Sequence, residues 1–181
     1  MQVKKTPRLI PAPDWAVRSI ESFCSALGAR LEECAPYPIY TLEVPGGPYV
    51  EAFSPPPTAA KAAHELFNNV IYSIGGYLGN IDRETHHFNP SLPLAHRIAR
   101  LCGTVRCCIL DERGERKFLY GKPVTGEYIV SGPCTPGPCV VVNRIGEALG
   151  WGSIRVKSKR RCTPHTLQPV KDLGWYLRRG G

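Results

Sequence analysis

Four cations stand at alternate positions in one short run, Arg155, Lys157, Lys159 and Arg161, with Ile154, Val156 and Ser158 between and before them. In an extended strand successive side chains point to opposite faces, so this spacing puts all four on one side. Such a row repels itself unless a polyanion neutralises it, and the chemistry it can do is to hold phosphates. Arg160 would sit near the edge of the same row. Arg155, Lys157, Lys159, Arg160 and Arg161 are therefore the candidate nucleic-acid contacts. The plainer alternative is a solvated edge strand whose Lys and Arg residues block aggregation.

The residues that could do other chemistry are poorly arranged for it. There is no H-E-x-x-H, no G-x-S-x-G and no P-loop. The glycine run Ser73-Ile-Gly-Gly-Tyr-Leu-Gly79 follows a helical pattern rather than a strand, which suits a connector better than a phosphate cradle. His86 and His87 are adjacent, and in a strand they would face opposite sides and could not share one metal. Cys102, Cys107 and Cys108 with His96 match no common zinc spacing. Cys107 and Cys108 point to opposite strand faces, so at most one belongs to a core. Cys134 and Cys139 flank the short loop Thr-Pro-Gly-Pro, where a disulfide between them is the natural reading. The expectation is a non-catalytic chain with no catalytic residues, no metal and no cofactor.

To position the cationic row the chain has 181 residues and a net charge of +8. Residues 1–103 hold nine Lys and Arg against nine Asp and Glu, and residues 104–181 hold fourteen against six. All the excess charge thus falls in the second part, as for a basic module attached to a neutral one. No apolar run approaches membrane-spanning length and no signal-peptide core opens the chain, so a soluble, cytoplasmic protein without a membrane partner is expected. Eight cysteines, a single methionine and eighteen prolines fit a hot source, where intracellular disulfides are common.

The first part reads as mixed helix and strand. Residues 1–13 are too Pro-rich for a helix and are expected to lie extended over the surface. Asp14 caps a helix carrying Trp15, Ile20, Phe23, Cys24, Leu27 and Leu31. Strand-like runs at Pro38–Val44 and Tyr49–Phe53 flank Pro45-Gly-Gly-Pro48, and a second helix starts at Pro55–Pro57. A short helix through Leu94, Ile98 and Leu101 ends at Gly103. The second part reads as β-rich: Thr104–Leu110, a turn at Asp111–Gly114, Phe118–Tyr120, Tyr128–Val130, Val140–Asn143 and Trp151–Arg161. Short strands between Gly and Pro turns suggest a small barrel or sandwich. The tail Asp172-Leu-Gly-Trp-Tyr-Leu-Arg-Arg179 reads as a helix lying on one end of it.

Phe118-Leu-Tyr-Gly-Lys122, Val140-Val-Val-Asn143, Gly150-Trp-Gly152 and Asp172-Leu-Gly-Trp-Tyr-Leu-Arg178 resemble the C-terminal half of the Nip-seven proteins, large-subunit ribosome assembly factors with archaeal relatives. The helix after Asp14, the strand pair near Tyr40 and Tyr49, the Ser73–Gly79 run and His87-Phe88 fall in that family's order, so the resemblance spans nearly the whole chain. It implies an α+β protein: an N-terminal α/β domain, 1–103, with a mainly antiparallel sheet, then a PUA-type small β pseudo-barrel, 104–181. It further implies RNA binding through the PUA half, at Arg155, Lys157, Lys159, Arg160 and Arg161, in pre-rRNA processing and large-subunit assembly. The expected partners are an rRNA precursor and, through the N-terminal domain, ribosome assembly proteins, with the chain itself a monomer. The competing reading is an RNA-modifying enzyme, or its PUA-bearing accessory subunit, whose catalysis would have to sit in residues 1–103.

Overall fold

The computed structural model describes residues 8–43, 46–65, 73–155, 166–175 and 178. The chain divides into two compact units, Met1–Ser25 with Arg30–Leu94, and Ala26–Ala29 with Ala95–Gly181.

The first unit is built on a five-stranded sheet in the order β1 (Arg8–Pro11), β2 (Tyr40–Glu43), β3 (Tyr49–Phe53), β4 (Tyr77–Asp82) and β5 (Phe88–Pro90). Every neighbouring pair is antiparallel. The Pro-rich start therefore does more than lie over the surface. Its residues 8–11 pair with β2, and proline is tolerated there because an edge strand has one unpaired side. Helix α1 (Asp14–Leu27) buries Ala16, Ile20 and Cys24 at four-residue spacing, and Val50, Ala52 and Ile81 of the sheet are equally buried. Phe23 meets Phe88 edge to face at 5.4 Å between ring centres. The short helix α2 (Leu31–Cys34) is tied to α1 by a Cys24–Cys34 disulfide, and α3 (Pro57–Glu65) begins on a proline, as its missing N–H allows. The glycine run opens strand β4 and no helix, so it is not a phosphate loop. His86 lies in the β4–β5 turn, where it adopts a φ of 57° and stacks on Trp15 at 4.8 Å, rather than in a strand.

Helix α4 (Leu92–Ala99) contains the division between the units. The second unit has a six-stranded, nearly closed barrel-like sheet in the order β7 (Val124–Thr125), β11 (Thr166–Asp172), β10 (Ala148–Arg155), β9 (Gly137–Val142), β6 (Cys107–Leu110) and β8 (Ile129–Ser131). Among the neighbouring pairs of this sheet, in the described residues, only β6 and β9 run parallel. The interior is apolar: Cys108, Leu110, Phe118, Val124, Val141, Ile154 and Leu167 form one buried cluster. Cys108 is buried while Cys107 is half-exposed, as their alternation requires. The α+β architecture expected from the sequence is the one the chain adopts.

Two elements differ from the sequence reading. Residues Glu112–Leu119 form helix α5, not a turn followed by a strand. Asp111 caps it, its carboxylate accepting from the Gly114 N–H at 2.8 Å. The glycine that suggested a turn is there for space, since a Cβ at Gly114 would fall 2.8 Å from the Tyr128 carbonyl oxygen. Strand β11 has no counterpart in the sequence reading. A register shift between Trp151 and Gly152 leaves Val170 without a partner position on β10 and exposed, while Pro169 lies opposite Gly152.

The cysteines also pair differently. Cys139 is a free, buried thiol, and Cys134 is disulfide-bonded to a cysteine other than Cys139. The Cys134–Cys139 loop is closed instead by Arg106, which donates from Nε to the Pro138 carbonyl at 2.9 Å, from Nη1 to Thr135 Oγ1 at 2.6 Å and from Nη2 to the Thr135 carbonyl at 2.6 Å. Strand β9 carries Cys139 inward, where its Sγ lies 3.6 Å from the Gly152 carbonyl oxygen. A hydrogen bond with Cys108, followed by burial, pushes the Cys139 thiol well above the usual range. Such a thiol should resist alkylation in the native protein and react only on unfolding. Mass mapping under non-reducing conditions should recover Cys139 as a free thiol, and a peptide joining Cys134 to Cys139 would contradict this assignment. Cys102 and Cys107 are bonded to each other, which removes both from the zinc set considered above.

Candidate nucleic-acid interface

Of the cationic row, Arg155 is described; Lys157, Lys159, Arg160 and Arg161 lie outside the described residues. Arg155 is the last residue of β10, exposed, and opposite Thr166 of β11. Thr166 in turn pairs with Thr125 of β7. Arg155 therefore stands at a corner where three strands, β10, β11 and β7, lie side by side.

Strand β7 follows the C-terminal end of α5, and this brings in cations that the sequence reading missed. Arg113, Arg116 and Tyr120 are exposed, and Lys122 is exposed just beyond the helix. Lys117 places its ammonium 4.4 Å from the centre of the Tyr128 ring. Arg116 reaches Glu112 at 3.8 Å, but both side chains are largely in water and the pair is weak. Tyr120 is 67% exposed, leaving an aromatic face in water among cations. Phosphate contacts position a nucleic acid and aromatic faces stack on unpaired bases, so the set has the composition of a single-strand contact surface. The signal was available in the sequence: Arg113, Arg116, Lys117 and Tyr120 recur at helical spacing.

The helix end that carries this set is closely fixed. Gly121, at a φ of 70°, lets the Lys122 N–H reach back to the Lys117 carbonyl at 2.9 Å while its own N–H bonds the Phe118 carbonyl at 2.8 Å. The next carbonyl, that of Leu119, accepts from Arg178 Nη1. Arg178 also grips the buried carboxylate of Asp172 with both terminal nitrogens, at 2.9 and 2.8 Å. Its guanidinium stands where a cation complements the negative end of the helix dipole, and the Asp172 carboxylate beside it raises its pKa. Arg106, by contrast, has three donor nitrogens committed to the Cys134–Cys139 loop, so it is not part of a phosphate-binding set. Among the described residues no three His, Cys, Asp or Glu side chains are grouped to hold a metal ion, and no helix is long and apolar enough to cross a membrane.

Residues 106–181 match the model of the UPF0113 PUA domain. Over 175 residues the chain is 39% identical to a UPF0113 protein of Aeropyrum pernix, an alignment covering 96% of this chain and 94% of that one. The chain belongs to the UPF0113 family. The UPF0113 fold is shared by a conserved PUA domain protein from Thermoplasma acidophilum, with a TM-score of 0.58 at 13% identity, covering 97% of this chain and 99% of that one. A hypothetical protein from Pyrococcus horikoshii OT3 is similar with a TM-score of 0.56 at 12% identity, covering 94% and 99%. At such identities the likeness is one of fold. The family match places a PUA domain on the same residues that carry the exposed cations and the excess charge.

Proposed function

We propose that this UPF0113 chain is a non-catalytic RNA-binding factor of large-subunit assembly, of the Nip-seven type, which holds an rRNA precursor through its PUA domain. The observation that carries the reading is the coincidence of the PUA domain with all of the net positive charge, fourteen Lys and Arg against six Asp and Glu in residues 104–181. Electrostatic neutralisation of phosphates supplies the general affinity, and Arg contributes planar two-point contacts that Lys cannot make. The first part of the chain, with no net charge, is left to bind assembly proteins as a monomer in the cytoplasm. The resemblance of the motifs at Phe118–Lys122, Val140–Asn143 and Gly150–Gly152 to the Nip-seven proteins supports the assembly role.

Crosslinking the intact protein in cell extract and sequencing the attached RNA tests this directly. Precursor large-subunit rRNA should be enriched above every other RNA class. Enrichment of tRNA instead, with a base modification that disappears when the protein is removed, would favour the RNA-modifying alternative.

A further inference from the structure

The PUA unit contains a cleft of about 630 Å³, with an apolar floor formed by Leu119 at the end of α5 and Leu173 just past β11. Its charged groups are unusual for this basic half of the chain. Of the six Asp and Glu in residues 104–181, Asp111 caps α5, Asp172 is held by Arg178, Glu112 reaches Arg116, and Glu127 accepts from the Thr125 hydroxyl at 2.9 Å. The other two, Glu115 on α5 and Glu147 on the β9–β10 turn, both line the cleft, and among the described residues neither has a cationic partner. The turn holds Glu147 in place. The buried Asn143 accepts at Oδ1 from the N–H groups of Ile145 (3.2 Å) and Glu147 (2.9 Å), and its Nδ2 donates to Glu147 Oε2 at 2.8 Å. His96 in α4 and Arg100 just beyond it line the same cleft, exposed and without an ion pair among the described residues.

The cleft also stands away from the cationic row. Leu149 lines it near the start of β10, and Arg155 ends the same strand six residues on, roughly 20 Å away at about 3.3 Å per residue. Unpaired carboxylates repel phosphate, so the charges here suit a different ligand from those at Arg155. Going beyond the RNA-binding reading, we infer that this cleft docks an extended segment of a partner protein in which an arginine is followed two residues later by a carboxylate. Glu115 and Glu147 accept from the guanidinium, whose planar fork makes two-point contacts with carboxylates. The methylene stem of the arginine lies along Leu119 and Leu173. Arg100 pairs with the carboxylate of the segment, and His96 adds an N–H donor. In an extended chain residues two apart share one face, roughly 6.7 Å from each other, so both side chains enter from the same side. A PUA unit built this way holds protein at one end of β10 and RNA at the other.

The test is fluorescence anisotropy of the full-length chain with a short labelled alanine–glycine peptide containing Arg-Ala-Glu, and separately with a labelled single-stranded RNA of mixed sequence. Citrulline in place of the peptide's arginine, alike in shape but uncharged, should weaken binding about tenfold. Glu115→Gln with Glu147→Gln should cost the same factor, and the amide at 147 keeps an oxygen for Asn143, so the turn is preserved. Arg100→Glu should reverse the preference, favouring Arg-Ala-Lys over Arg-Ala-Glu, which a merely misfolded variant would not do. RNA affinity should stay within about twofold in all these variants, since at roughly 0.1 M salt exposed charges act over only about 10 Å. Circular dichroism confirms that each variant is folded. A wild type that does not bind the Arg-Ala-Glu peptide, or a preference unmoved by Arg100→Glu, overturns the docking site and leaves the RNA reading standing. Displacement of the peptide by RNA also overturns it, by giving the cleft to the nucleic acid. Peptide binding with no RNA binding at any salt keeps the docking site and overturns the RNA reading alone.

Discussion

A chain carrying Gln in place of Arg155, Lys157, Lys159, Arg160 and Arg161 is expected to bind single-stranded RNA about a thousandfold more weakly at roughly 0.1 M salt. The slope of log affinity against log salt should fall by about 3.5, because each phosphate contact on a single strand contributes roughly 0.7. The loss should be nearly equal for different sequences, since phosphates carry no base information. Arg155 is exposed at the end of β10 beside β11 and β7, so Gln there disturbs no packing. The measurement is a salt titration on protein shown to be folded. A variant that keeps the wild-type slope would mean that the run only protects a sheet edge. The affinity would then belong to Arg113, Arg116, Lys117 and Lys122, and Gln at those four positions should remove it.

Gly150→Ala should cost about 4 kcal/mol or more, a large share of the stability of an ordinary domain. Gly150 stands in β10 at a φ of 145°, a region that residues with a Cβ rarely adopt. A Cβ there would fall 2.1 Å from the Lys171 carbonyl oxygen and 2.8 Å from the Asp172 Cα. Both obstacles are backbone of the partner strand, held by the pairs Gly150↔Asp172 and Trp151↔Lys171, so neither can move without opening the sheet. Val170→Ala, in β11 but 64% exposed, is the control and should change stability by no more than about 0.5 kcal/mol. Urea unfolding of the two variants followed by tryptophan fluorescence gives both numbers. A Gly150→Ala loss below about 1 kcal/mol would show that β10 and β11 are less tightly joined than their register implies.

Local periodicity was enough to place much of the fold. The apolar stripe behind Asp14 is helix α1, the run Tyr49–Phe53 is β3, and Pro57 opens α3, because each signal lies within one element and the core only ratifies it. The excess charge of residues 104–181 was equally legible, since it is a property of composition. What the sequence could not reveal are features made by residues far apart in the chain. Gly114 reads as a turn until Tyr128 is seen pressing on it, and only then is α5 a helix with Arg113, Arg116 and Tyr120 on its exposed side. Strand β11 is announced by no local pattern and is defined by its pairing with β10 and β7.

The cysteines show the same division. Their number and the Thr-Pro-Gly-Pro loop suggested a bond between Cys134 and Cys139, since nearness in sequence was the only distance available. The tertiary structure decided otherwise, because β9 turns Cys139 into the barrel against Cys108 and Arg106, 32 residues before Pro138, ties the loop from outside. The cationic run was visible as a pattern. Its surroundings were not: the strands beside Arg155 and the clamp of Arg178 on Asp172 and Leu119 are made by β7, β11 and the end of α5. Composition and spacing by themselves determined the kinds of residue available, and the resemblance carried by the motifs implied the α+β class. Which of those residues meet was decided by strand pairing, and pairing depends on contacts that no local window of sequence contains.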